Sequence, residues 1–252
     1  MAPQVDIIVK PSALRFSVFE GVPVYYAISD IDMALDGIEV ALGIEPSQQE
    51  LFDSNLGFLP TCNTVLIRGE RNIIVDPNNF HIGFYGTLRQ QLNRFDLSAG
   101  DIDIVVNTHF HHDHNGSNFL FPSKRLVLGE GEIEFAETAY WPGYVRAYTR
   151  DLTEDIEIVS ERDGKVQLDV GVYAIHTPGH TPGSLSVLVE GESERVSIIG
   201  DLALTAEQYL YRKMSHWCTP EVVTELNRSL DKVAGWNPTL VIPGHDSPLQ
   251  VK

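Results

Sequence analysis

The sequence predicts an α/β protein organised as one domain over residues 1–252, and three observations carry that prediction. Short apolar runs of strand length alternate along the chain with stretches of helical periodicity. No composition break, repeat or Ser/Gly-rich linker separates them. Hydrophobic residues make up 43% of the 252 residues, enough for a sizeable core and too many for a disordered chain.

The elements follow in order. Residues 1–60 give the weakest pattern: 22–26 reads as an edge strand and 31–42 as a helix, and the segment is a candidate for shaping a pocket or a homodimer contact. Thr64–Arg68 and residues 72–76 are apolar runs split by Gly69-Glu70, a hairpin pattern. Leu88, Leu92 and Phe95 have helical spacing, and 102–107 is a strand that stops just before a histidine cluster. Residues 126–128 read as a strand and 130–139 as a helix, which Trp141-Pro142-Gly143 breaks. Ile156–Val159, Val172–His176 and 185–189 are strand candidates, and 196–199 runs into Gly200-Asp201. Thr219 and Pro220 suit the cap and first turn of a helix whose apolar face is Val223, Leu226, Leu230 and Val233. A last strand, 240–242, ends at Pro243-Gly244-His245.

Composition narrows the function classes. With 35 Asp+Glu against 18 Lys+Arg the net charge is −17, which argues against a nucleic-acid partner because phosphate binding needs a basic surface. Cys62 and Cys218 form no CxxC, so neither a cysteine zinc site nor a disulfide framework is expected. The first residues have no basic segment followed by an apolar run, and no stretch approaches the about 20 apolar residues of a membrane span. The expectation is a cytoplasmic protein with a small-molecule substrate, no membrane partner, and a homodimer as a candidate assembly.

The nine histidines are the unusual part of the composition. Four of them stand in His109-Phe110-His111-His112-Asp113-His114, an H-x-H-x-D-H motif directly after a buried-looking strand. His109 and His111, two apart, can chelate one metal, while Asp113 and His114 can turn toward a second. Imidazole and carboxylate together suit Zn²⁺, and also Fe²⁺, Mn²⁺ or Co²⁺. Downstream, His180, Asp201 and His245 each follow a strand, at the end where open α/β sheets place their sites. The other histidines carry less. His112 reads as solvent-facing or supporting, His176 as hydrogen-bonding within the His180 loop, and His81 and His216 as surface residues. Tyr140, Trp141, Tyr144 and Tyr148 read first as helix packing.

In order, residue type and strand-end placement, Asp76, His109, His111, Asp113, His114, His180, Asp201 and His245 resemble the ligand pattern of the metallo-β-lactamase superfamily, across residues 64–248. The resemblance implies a four-layer αββα sandwich with the metal site at one edge. It implies that His109, His111 and His180 hold one metal, that Asp113, His114 and His245 hold the other, that Asp201 bridges them, and that Asp76 supports from behind. It also implies a reaction. A hydroxide shared by two divalent cations, zinc foremost, attacks a carbonyl, and Asp113 accepts or relays a proton. Two bound dications make the site locally cationic despite the acidic chain.

A bridging Asp201 is similar to the lactonase, thioesterase and phosphodiesterase branches, whereas the lactam-hydrolysing branches usually lack that residue and are exported. Glyoxalase II-type thioesterases carry a further helical part, and here the chain ends soon after His245. The spacing from His180 through Asp201 to His245 looks most like the quorum-quenching N-acyl-homoserine lactone lactonases. A lactone or related ester is therefore the expected substrate. Thioesterase and phosphodiesterase are the alternatives, ahead of β-lactamase and non-catalytic binding. One position departs: where those lactonases carry a tyrosine three residues after the bridging aspartate, this chain has Leu204, with Tyr209 and Tyr211 nearby.

Overall fold

The computed structural model describes residues 2–19, 22–28, 57–78, 88–215 and 218–251. The chain opens with β1 (Gln4–Val9), β2 (Ser12–Phe19) and β3 (Val22–Ile28). Then come β4 (Gly57–Thr61), β5 (Thr64–Arg68), β6 (Asn72–Val75), α1 (Leu88–Asn93), β7 (Ile104–Val106), α2 (His112–Asn115) and β8 (Arg125–Gly129). They are followed by α3 (Glu132–Ala139), α4 (Pro142–Ala147) and β9 (Ile156–Val159). The rest is β10 (Val166–Asp169), β11 (Val172–His176), β12 (Leu185–Glu190), β13 (Arg195–Gly200), α5 (Ala206–Tyr211), α6 (Pro220–Gly235), β14 (Leu240–Pro243) and β15 (Leu249–Gln250).

Two six-stranded sheets, β1-β5-β6-β7-β8-β9 and β10-β11-β12-β13-β14-β15, carry the core, and β3-β2-β4 form a third, smaller sheet. Alternation of side chains assigns each strand's two faces. Val65 and Ile67, Ile73 and Val75, Ile104 and Val106, and Val127 point inward from the first large sheet. They meet Leu185, Val187 and Val189, Val196 and Ile198, and Ile242 of the second. The intervening Leu66, Ile74, Val105, Leu126 and Leu128 turn outward, beneath Leu88 and Leu92 of α1, Ala136 of α3 and Val145 of α4. On the far side Ile175, Leu188, Ile199 and Val241 pack under Leu226, Leu230 and Val233 of α6. The order is helix, sheet, sheet, helix, as expected. Each of these buried aliphatic side chains contributes about 1.5–3 kcal/mol relative to exposure.

Connectivity puts the functional loops on one edge. β6, β7, β8 and β9 are parallel, so their C-terminal ends share a side. In the second sheet β13 and β14 are parallel, and β11 runs with them because both neighbour β12 antiparallel. Parallel neighbours need a crossover, and α1 supplies it between β6 and β7, α6 between β13 and β14.

Most sequence expectations hold. The 22–26 segment lies in β3, at an edge of the small sheet, and Gly69-Glu70 turns the β5–β6 hairpin. Thr219 caps α6 by accepting from the Val222 amide, with Pro220 in the first turn. Some details differ. The 130–139 helix starts at Glu132, and Pro142 begins a further helix rather than only ending one. On α6, Val222 joins the outer cluster in the place given to Val223. The 31–42 helix, His81 and His216 lie outside the described residues. Cys62 and Cys218 are not joined in a disulfide. No helix among the described residues is long and apolar enough to cross a membrane.

Candidate metal centre

Each strand end delivers one part of the site. Asp76 directly follows β6 with φ 50°, a left-handed conformation that turns its carboxylate toward the β7 loop. There it accepts hydrogen bonds from the Thr108 amide and hydroxyl, both at 2.6 Å, and from His114 Nδ1 at 2.8 Å. β7 leads to His109 and His111, and the short α2 holds His112, Asp113 and His114. β11 leads to His180, β13 to Asp201 and β14 to His245. Gly244 lets the β14 end pass the Asp201 carboxylate, since a Cβ there would overlap Asp201 Oδ1.

All seven expected ligands converge. One donor atom from each of His109, His111, His180 and Asp201 lies within 4.8 Å of the others, and the same holds for Asp113, His114 and His245. His111 Nδ1 stands 2.9 Å from His109 Nε2 and 3.0 Å from His180 Nε2. Asp201 sits between the two groups. Its Oδ2 is 3.3 Å from His180 Nε2 and 3.7 Å from His109 Nε2. Its Oδ1 is 3.2 Å from His245 Nε2 and 3.3 Å from His114 Nε2. Asp113 Oδ2 lies 3.5 Å from His245 Nε2 and 3.8 Å from His114 Nε2.

The donor set fits metal cations. His114 Nδ1 faces the Asp76 carboxylate and His245 Nδ1 faces the Thr61 carbonyl at 3.1 Å, so both Nδ1 atoms are the donors. The two Nε2 atoms then turn onto the same space, 3.4 Å apart, where the Asp201 carboxylate also lies, so the pocket gathers donor atoms around one point. Asp201 Oδ1 is buried there without an aligned hydrogen bond. Burial, with the nearby His114 charge second, pushes His109 well below the usual imidazole range. Burial and His180 push His111 down to about 4, and burial lowers His180 too. These rings are therefore neutral at neutral pH, the form in which an imidazole can bind a metal. At His114 burial opposes the charge, yet the Asp201, Asp76 and Asp113 carboxylates around it outweigh burial and hold the ring well above its usual range, so this side favours positive charge.

Cys62, Asp76 and His114 also lie together, but their donors are spoken for. Burial pushes the Cys62 thiol up to about 12, and it donates to the Asp113 carbonyl at 3.2 Å. Sequence reasoning missed Cys62, Thr61 and Thr108, which hold ligands from behind. It also missed Glu132, whose carboxylate accepts from the Phe110 and Gly183 amides and the Thr181 hydroxyl. Asn63 ties β5 to the His245 loop through the Pro243 and Asp246 carbonyls. No single-chain pattern marks these residues, because their partners are remote in sequence.

The remaining expectations resolve as follows. His112 is half-buried at the start of α2. His176 donates from Nε2 to the Pro182 carbonyl at 3.0 Å, inside the His180 loop. Tyr140, Tyr144 and Tyr148 pack on the outer face of the first sheet, while Trp141 is exposed. Of the phenols near Leu204, Tyr209 is buried under α6 with the outer cluster and Tyr211 is exposed beside Lys213. Tyr209 therefore packs in the outer layer instead of facing the ligand loops.

The relatives agree with this architecture. Over 138 residues the chain is 28% identical to a protein of Methanocaldococcus jannaschii named as a metallo-hydrolase, covering 53% of this chain and 65% of the relative. Over 156 residues it is 26% identical to an N-acyl homoserine lactonase of a Bacillus species, covering 62% of this chain and 60% of that enzyme. The matches thus span just under two thirds of the length of these curated relatives. A crystal structure from Thermotoga maritima, described as a candidate metallo-β-lactamase, superposes with a TM-score of 0.65 over 100% of both chains at 20% identity, a likeness of fold alone. The sequence profile of the metallo-β-lactamase superfamily matches residues 58–245, and the chain belongs to that superfamily.

Proposed function

We propose that the chain is a dinuclear metal-dependent hydrolase of a small carbonyl substrate, with lactones and related esters as the substrate class. The observation that carries this reading is Asp201, whose two carboxylate oxygens face two separate groups of ligand atoms. His109, His111 and His180 would hold one cation, Asp113, His114 and His245 the other, and Asp201 both. Zinc suits this nitrogen and oxygen donor set, as do manganese, iron and cobalt. Bound there, the cations supply Lewis acidity and a water-derived nucleophile at neutral pH.

The chain's own groups do the rest. Asp113 Oδ2, on the inner side of the site, accepts and relays a proton. His111 and His180 are the half-exposed ligands, so substrate approaches from their side. The lactonase relative supports the substrate class.

A panel on the zinc- or manganese-loaded chain tests the reading: N-acyl homoserine lactones and simple lactones, acyl thioesters, and bis(p-nitrophenyl) phosphate. Chelator-sensitive ring opening is expected. Turnover of the thioesters or phosphodiester alone would move the substrate class. No turnover of any of them by a chain holding two metals would contradict the proposal.

A further inference from the structure

Glu132 is a carboxylate in the wrong surroundings for an ordinary helix-start residue. Acidic residues favour the first turn of a helix because they meet its positive end in water. This side chain is instead fully buried, with 0% exposure, and no Lys or Arg pairs with it among the described residues. An unpaired buried carboxylate is costly unless its oxygens are filled by donors. They are filled from two other parts of the chain. Oε1 accepts from the Phe110 amide at 2.7 Å, between His109 and His111. Oε2 accepts from the Thr181 hydroxyl at 2.7 Å and the Gly183 amide at 3.0 Å, just after His180. The contact is also sterically specialised: any Cβ on Gly183 would collide with Glu132 Cβ and its backbone nitrogen.

We infer that Glu132 is a positioning residue, a clamp that joins the His109–His111 loop of one sheet to the His180 loop of the other and sets the spacing of these three imidazoles. The other ligand loop has no part in it. The His245 amide donates to the Leu204 carbonyl, and Asn63 anchors its neighbours. The clamp acts selectively on one of the two ligand groups. Its consequence for metal affinity rests on the proposed function; the clamp itself does not.

Glu132→Gln in the full chain separates these claims. A glutamine keeps the length and one oxygen for Phe110, but its amide nitrogen cannot accept from Gly183. In the metal-free protein, hydrogen exchange of the Gly183 amide should accelerate about tenfold or more while the His245 amide is unchanged. In the cobalt- or zinc-loaded protein, one of the two cations should bind about 10–100-fold more weakly and the other as before. If the variant folds poorly, Thr181→Val removes one donor and should shift both readings in the same direction by less. Unchanged exchange at Gly183 overturns the clamp. So does uniform acceleration in all three loops with both metals released together, the mark of general destabilisation. A wild-type chain that binds no metal would instead sink the proposed function and leave the exchange result to judge the clamp.

Discussion

The two groups of ligand atoms that meet at Asp201 are built differently. The His109–His111–His180 group reaches solvent through two of its rings: His111 is partly exposed and the His180 side chain is 23% exposed, while His109 is buried. The Asp113–His114–His245 group is sunk, with the His114 side chain at 0% and His245 at 4%. The support differs as well. In the outer group the Thr108 hydroxyl lies 3.3 Å from His109 Nδ1, while one carboxylate, Glu132, ties the two loops together through main-chain amides. The inner imidazoles are each oriented directly, His114 by Asp76 and His245 by Thr61. One side is thus partly open and tied largely through the backbone, the other closed and held at the rings. An open side suits substrate exchange, and a closed side suits permanent retention of a cation.

The largest effect should come from the residue that both sides share. Asp201→Ala removes a ligand from each group, and it should abolish measurable turnover and deplete both cations, with the chain still folded by circular dichroism. Next, His111→Ala and Asp113→Ala each empty one side only. Both should abolish measurable turnover, but elemental analysis should find the inner cation retained in the first and the outer one in the second. Equal loss of both metals in each variant would break the comparison. Graded chelation sharpens it without mutation: the outer cation should leave at the lower chelator concentration, in two resolved steps. Asp76→Asn should weaken the inner cation about 10–100-fold and spare the outer one.

Much of this architecture was legible from residue order because period-2 apolar runs ended at ligand-type residues. β5, β6, β7, β12 and β13 alternate cleanly between the inner and outer clusters, and each expected ligand follows the end of a strand. β1 was not legible because its pattern is scrambled: Val5 and Ile7 pack inward, then a register shift lets Ile8 and Val9 face the other cluster together. α2 is four residues long, too short for helical periodicity to show. The supports of the site were hidden for another reason. Glu132 sits where any helix tolerates a glutamate, and its partners are 22 and 51 residues away. Cys62 and Thr61 act through a thiol and a main-chain carbonyl, which leave no motif.

Anomalous diffraction at the zinc edge, on crystals of the zinc-loaded chain, tests the central claim most directly. The account predicts two peaks. One lies among His109, His111, His180 and Asp201, the other among Asp113, His114, His245 and Asp201. A single peak, or none within reach of Asp201, would contradict it.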